Sequence, residues 1–113
     1  MSGLSTHILD TSAGTPAAGV QIALFKDGSL LTQCRTNADG RTDDPLIASG
    51  ELVAGTYELH FHAGDYFREK NVVDDTILFL DVVVIRFGIG ATDQHYHVPL
   101  LLSPFGYSTY RGS

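Results

Sequence analysis

The sequence predicts an all-β fold, a Greek-key sandwich of two sheets with seven to eight strands and one short helix. Three observations favour this class. Runs rich in Val, Ile, Phe, Tyr and Thr recur along the chain, their hydrophobic period is two, and turn residues separate them. A chain of 113 residues also suits one hydrophobic core, so we expect a single domain over residues 1–113.

The first half of the chain contains three predicted strands, at residues 4–9, 20–26 and 31–37. The first two are separated by a turn-rich stretch, residues 10–19. Residues 26–29 (Lys-Asp-Gly-Ser) predict a tight turn, because glycine adopts a positive φ without steric cost. Residues 38–41 (Ala-Asp-Gly-Arg) predict another.

The second half begins with a polar segment, residues 42–55, that Pro45 and two glycines interrupt. We expect a loop with one short strand there. A short helix is expected at residues 65–71. The remaining predicted strands are residues 56–62, 78–87, 95–102 and 107–111.

Composition disfavours several classes of partner. The chain has 13 acidic and 7 basic side chains and a net charge of −6, which repels the phosphates of nucleic acids. The longest apolar run, residues 82–85, is too short to cross a bilayer, so we expect no membrane partner. Residues 1–10 lack the pattern of a signal peptide, which predicts a cytoplasmic location, or a periplasmic one if a leader was trimmed.

Common catalytic motifs are missing from the sequence. There is no Gly-x-Ser-x-Gly elbow, and Cys34, the one cysteine, lacks the local pattern of a thiol nucleophile. Phosphate-binding loops and dinucleotide fingerprints are also absent, so we expect no cofactor. Water activated by histidine remains as a possible chemistry.

Five histidines are the candidate chemical groups: His7, His60, His62, His95 and His97. Two pairs have a spacing of two, which places both rings on one face of a strand. Such a pair could bind zinc. We favour the simpler interpretation, in which the rings are hydrogen-bonded or face solvent, and expect no metal.

The C-terminal segment, residues 96–113, is apolar and aromatic almost throughout. Chain ends are usually polar and frayed, so we expect this one to pack against something. It is either an ordinary last strand or part of a pocket.

The ending YHVPLLLSP-x-GYSTYRGS resembles the signature of the 5-hydroxyisourate hydrolases, a transthyretin-like family. Three further blocks are similar to the family's: THILD followed by PAAGV, TNADGR and GDYF. The likeness covers nearly the whole chain. One departure is Leu80, where family members often have proline.

The resemblance implies the transthyretin-like sandwich and the ring-opening hydrolysis of 5-hydroxyisourate to 2-oxo-4-hydroxy-4-carboxy-5-ureidoimidazoline in urate degradation. It also implies a homotetramer, a dimer of dimers, with active sites at the dimer–dimer interface.

Carried over by motif, the implied catalytic residues are His7, Arg41, His97 and Ser113, and the implied substrate-binding residues are His7, Arg41, Tyr110, Arg111 and Gly112. One histidine would activate water, and we lean towards His7. Arg41 would hold the substrate's oxygens through its planar fork. Arg111 is either structural or substrate-facing. Ser113 would contribute its hydroxyl beside a terminal carboxylate.

Three alternatives stay open at this point. The first is a transthyretin-like carrier of a small ligand, because a fold does not fix a function. The second is a zinc protein that uses His7, His95 and His97. The third is a structural sandwich domain of a larger assembly.

Overall fold

The computed structural model describes residues 2–73 and 76–112. The chain forms elements in the order β1 (Leu4–Asp10), β2 (Thr15–Pro16), β3 (Gln21–Lys26), β4 (Ser29–Arg35), β5 (Gly55–His62), α1 (Ala63–Glu69), β6 (Val82–Ile89), β7 (Tyr96–Ser103) and β8 (Gly106–Thr109). No helix among the described residues is both long and apolar enough to span a membrane.

The strands form two four-stranded sheets. The first sheet has the order β2-β1-β7-β8 and the second has the order β4-β3-β5-β6. Strands β1 and β7 run parallel, although they come from opposite ends of the sequence, and the other pairs are antiparallel. This arrangement confirms the predicted all-β sandwich with one short helix.

Period-two alternation decides which side chains enter the core between the sheets. Along β1, every second residue from Leu4 to Asp10 is buried, and the residues between them are half-buried on the outer face. Strand β5 alternates in the same way. The outer face of the first sheet therefore presents Ser5 and His7 of β1, together with His97 of β7.

Asp10, at the end of β1, connects the first sheet to the helix. Its carboxylate is 2 % exposed and accepts hydrogen bonds from the Tyr66 hydroxyl at 2.8 Å, the Ser12 hydroxyl at 2.6 Å, and the amides of Ser12 and Ala13. Burial alone would raise the pKa of Asp10, but these four hydrogen bonds together lower it below its ordinary value.

Several predicted boundaries differ from the structure. Strand β2 falls within the predicted turn-rich stretch, and the loop after β4 contains isolated bridges, such as Leu4 with Ile47, instead of the short strand expected in residues 42–55. The predicted strand at residues 78–87 is observed as β6, which begins only at Val82. Its partner β5 ends at His62, paired with Val82, because the chain enters α1 at Ala63. Residues before Val82 thus have no strand to pair with there.

Candidate active site

The parallel pairing of β1 with β7 brings together His7 and His97, the two predicted catalytic histidines. Its register places Ser5 opposite His97 and His7 opposite Pro99. His7 and His97 are therefore diagonal neighbours on the outer face of one sheet, and both are half-buried. Ninety residues of sequence separate them, so only the tertiary structure unites them.

Arg41 reaches this face through a tight turn that packs on β1. The turn is closed by hydrogen bonds between Asn37 and both Gly40 and Arg41, and the Gly40 carbonyl accepts from the Ile8 amide at 2.8 Å. Gly40 has a φ of +73°, and a Cβ there would overlap the backbone oxygen of Ile8. Glycine is thus required for the turn to approach β1, and this approach forms the bridge between Arg41 and His7.

The same turn fixes the tautomer of His7. The Nε2 atom of His7 lies 2.9 Å from the backbone oxygen of Asp39. A carbonyl oxygen only accepts hydrogen bonds, so Nε2 of His7 carries a hydrogen and donates it. The nitrogen of His7 that could take a proton is therefore Nδ1.

His97 has the electrostatic character of a base. Its pKa is lowered below the ordinary value, first by burial, then by the positive charge of Arg41, and then by the neighbouring imidazoles of His7 and His95. A lowered pKa keeps the imidazole neutral near pH 7 and able to accept a proton. Its Nδ1 atom contacts the Ser5 hydroxyl at 2.8 Å, and among the described residues none hydrogen-bonds its Nε2 atom.

Gly112 closes one side of the His97 ring. Its amide donates to the backbone oxygen of His97 at 2.7 Å, which pairs the C-terminal segment with β7. A Cβ on Gly112 would lie 2.8 Å from Cδ2 of His97, closer than real Cβ contacts come. The segment therefore approaches the imidazole only because residue 112 lacks a side chain.

Tyr110 and Arg111 lie in the same segment but face a different neighbourhood. Both line a cleft of about 260 Å³ beside β6, together with Phe87 and Tyr96. The Arg111 guanidinium stacks 4.1 Å from the centre of the Tyr96 ring and donates to the Gln94 side chain at 2.8 Å. Arg111 is thus engaged in contacts within its own chain. Ser113, the last predicted site residue, lies outside the described residues.

Ser5 and His95 also lie in this cluster, although the sequence predicted no role for Ser5 and indicated His95 only as a zinc ligand in one alternative. The Ser5 hydroxyl lies 2.9 Å from Nε2 of His95 and 2.8 Å from Nδ1 of His97. One signal for Ser5 was available, since its spacing of two from His7 on a strand predicts a shared face. Its contact with His97 depends on the β1–β7 register, which local sequence patterns do not reveal.

The other histidine pair lies on the second sheet, away from this cluster. His60 contacts Glu58 at 2.8 Å and packs on Phe25 with ring centres 4.5 Å apart, and His62 ends β5. The hydrogen-bonded interpretation is therefore confirmed for His60. Within the described ranges, no group of three or more His, Cys, Asp or Glu side chains is arranged to hold a metal ion.

The arrangement suits the hydrolysis of a small polar substrate. It combines a neutral imidazole whose Nε2 atom has no hydrogen-bond partner among the described residues, a second imidazole that donates a hydrogen bond, and an exposed guanidinium on one face. A base beside a cationic, planar hydrogen-bond donor can activate water and stabilise the oxyanion that forms when an amide is attacked. Arg41 and Ser5 also border a cavity of about 230 Å³.

Comparisons with known proteins show which family the chain resembles along nearly its whole length. A sequence model of the HIUase/Transthyretin family matches residues 4–112. The 5-hydroxyisourate hydrolase 2 of Rhizobium meliloti is 54% identical over 97% of this chain and 95% of its own length. The structure of Klebsiella pneumoniae 5-hydroxyisourate hydrolase superposes with a TM-score of 0.84 at 41% identity, covering 99% of this chain and 100% of that one.

A structure of sea bream transthyretin in complex with thyroxine superposes with a TM-score of 0.83 at 30% identity, covering 96% of this chain and 93% of that one. The matches to hydrolases and to a transthyretin thus share one fold and span nearly the full length of each protein. The chain belongs to the HIUase/Transthyretin family.

Proposed function

We propose that this chain catalyses the hydrolysis of 5-hydroxyisourate to 2-oxo-4-hydroxy-4-carboxy-5-ureidoimidazoline, a step of urate degradation. The observation that carries the proposal is the convergence of His7, Arg41 and His97 on one sheet face, in a chain 54% identical to a 5-hydroxyisourate hydrolase. The similarity to hydrolases exceeds the 30% identity to the thyroxine-binding transthyretin, which favours the enzyme over the carrier.

The reaction adds water across a cyclic amide. His97 takes a proton from water through its bare Nε2 atom, the water oxygen bonds to the carbonyl carbon, and the carbon–nitrogen bond then breaks. The leaving nitrogen receives a proton, so that the balance is one water consumed. His97 suits the role of base better than His7, because Nε2 of His7 already donates to Asp39 and the pKa of His97 is lowered.

Arg41 and His7 stabilise the substrate in this scheme. The Arg41 guanidinium offers two parallel donors to the substrate oxygens and to the developing oxyanion. His7 lies between Arg41 and His97 and orients the ring of the substrate. Gly112 lets the C-terminal segment close on His97, and Ser113 is proposed as a further contact. Tyr110 and Arg111 stay proposed substrate contacts of the assembled tetramer only, because within one chain they line the separate cleft beside β6.

A coupled assay tests the function. Urate oxidase generates 5-hydroxyisourate, and its ultraviolet decay is followed with and without this protein. We expect decay well above the spontaneous rate, reduced by about 10²–10⁴-fold in His97→Asn, because a positioned base contributes that much. His62→Asn is the matched control, since His62 lies on the second sheet. Decay at the spontaneous rate with folded protein would refute the proposal.

We also propose that the chain assembles as a homotetramer with the site between dimers. Strands β6 and β8 are the edges of their sheets, and both line the same cleft, so a second copy could pair along this side. The sheet face that carries His7 and His97 is open in one chain, which leaves room for a partner to enclose the substrate. Light scattering should give four times the 12.2 kDa mass of one chain, and a monomer would refute the proposal.

The cytoplasmic location stays a prediction. Fractionation of the source cells, with detection by antibody, would test it, and recovery of the protein outside the cytoplasmic fraction would contradict it.

A further inference from the structure

Ser5 connects two imidazoles across the strand pair that builds the site. Its hydroxyl lies 2.8 Å from Nδ1 of His97, the residue opposite it in the β1–β7 register, and 2.9 Å from Nε2 of His95. All three residues are half-buried, which limits exchange of these bonds with water. Of these three residues, only His97 has a role in the proposed hydrolysis, and Ser5 and His95 have none.

Three arrangements of hydrogens are compatible with this trio when both rings are neutral. A hydroxyl has one hydrogen to donate, and each ring nitrogen that faces it either donates or accepts. In the first arrangement Ser5 donates to His97 and accepts from His95, which leaves the hydrogen of His97 on Nε2. In the second, Nδ1 of His97 donates to Ser5 and Ser5 donates to His95, which leaves no hydrogen on Nε2 of His97. In the third, both rings donate to Ser5, which leaves its hydroxyl hydrogen without an acceptor among the described residues.

Of the two arrangements that leave Nε2 of His97 free to act as a base, only the second also uses the hydroxyl hydrogen of Ser5. When His97 has taken a proton from water, both of its nitrogens carry hydrogens, so Nδ1 must donate to Ser5. Ser5 can then direct its own hydrogen to Nε2 of His95, the other group that it contacts. The same orientation therefore serves the neutral base and the imidazolium that forms during the reaction.

We propose that Ser5 and His95 are positioning residues that hold His97 in the tautomer with a hydrogen on Nδ1 and a bare Nε2. The inference rests on the proposed hydrolysis for its catalytic consequence, but the tautomer itself is a property of the resting protein. In many active sites a further group orients the catalytic base. Here that group is the neutral imidazole of His95, which acts on His97 through the Ser5 hydroxyl. Ser5 and His95 act through His97 and do not touch the substrate.

The charges around the trio fit this orientation. Arg41 and His7 approach His97 from the turn and from β1, and Arg111 donates to the backbone oxygen of His95 at 3.3 Å. Burial and then the positive charge of Arg41 lower the pKa of His97, so that its ring is neutral in the resting protein, as this orientation requires.

Matched variants at both positions test the inference. Ser5→Ala removes the hydroxyl, whereas Ser5→Thr keeps it in a residue that suits a strand. His95→Leu removes the acceptor, whereas His95→Gln offers its amide oxygen in a similar place. We expect kcat to fall by about 10- to 100-fold in Ser5→Ala and His95→Leu, part of what a positioned base contributes, with KM nearly unchanged. Ser5→Thr and His95→Gln should recover most of the rate.

Nitrogen-15 NMR of the histidine rings supplies a readout that does not depend on activity. Above the ordinary histidine pKa of 6.5, we expect His97 of the unaltered protein to carry its hydrogen on Nδ1, and Ser5→Ala to show a mixture of tautomers. An Nε2-protonated His97 in the unaltered protein, or the same tautomer in Ser5→Ala, would overturn the inference. So would full kcat in His95→Leu. If the unaltered protein shows the expected tautomer and its loss in Ser5→Ala but no hydrolysis, the proposed function fails while the positioning role stands.

Discussion

Replacing Gly40 by alanine tests whether the close approach of the Arg41 turn to β1 builds the site. Gly14 is the matched control, because its φ of +72° equals the +73° of Gly40 within a degree, yet nothing lies within 4 Å of a Cβ at Gly14. A Cβ at Gly40 would overlap the Ile8 oxygen and lie 3.2 Å from the Ala17 amide nitrogen. The two variants share the cost of a positive φ and differ in the overlap.

The expected difference in free energy of unfolding between the two variants follows from the hydrogen bonds that a displaced turn would lose. The positive φ costs an alanine about 1–2 kcal/mol at either position. At Gly40 the turn must also move away from β1, which endangers the Ile8–Gly40 and Ala17–Ile8 backbone hydrogen bonds, each worth about 1 kcal/mol. We therefore expect Gly14→Ala to lower the free energy of unfolding by about 1–2 kcal/mol and Gly40→Ala by about 3–4 kcal/mol.

Urea unfolding at one fixed protein concentration measures the two variants, and the coupled assay measures their activity. A displaced turn carries Arg41 away from His7, so Gly40→Ala should lose most of its kcat/KM while Gly14→Ala keeps it. Equal losses of stability, or full activity in a folded Gly40→Ala, would show that the close approach does not position Arg41.

Three further predictions concern the ionisable and packed groups. Because the pKa of His97 is lowered, the acid limb of kcat/KM should lie below pH 6.5, and Arg41→Gln, which removes a positive neighbour, should move that limb to higher pH. An acid limb above 6.5 in the unaltered protein would contradict this assignment. Gly112→Ala should lower kcat, since the ring of His97 must shift, and an unchanged crystal structure with full kcat would refute the packing argument. The stability that Asp10 contributes is present above its ordinary pKa of 3.8 and is lost as the pH falls through its lower folded value. The difference in free energy of unfolding between the unaltered protein and Asp10→Asn should therefore narrow below pH 3.8 in urea titrations. A difference that widens there would contradict the lowered pKa. Tyr66→Phe should show a smaller difference with the same trend.

Local patterns were sufficient for the fold class and for most strands. The alternation of β1 and β5 is visible in the sequence, since burial of every second side chain requires it. The family resemblance supplied the candidate site residues His7, Arg41 and His97, which the structure brings onto one face. The start of β6 could not be predicted, because it depends on where the partner strand β5 ends.

Backbone φ preferences and the alternation of apolar residues are local properties, so the amino-acid sequence alone was enough to predict the all-β class, the short helix that follows β5 and the turn glycines. Only the tertiary structure decided that β1 lies parallel to β7, with Ser5 opposite His97. Strand pairing and register are long-range choices, fixed by how two sheets bury their inner faces together, and a slip by one residue would turn Ser5 and His7 into the core. The chemistry of the site depends on that choice, since the contacts of Ser5 with both imidazoles exist only in this register.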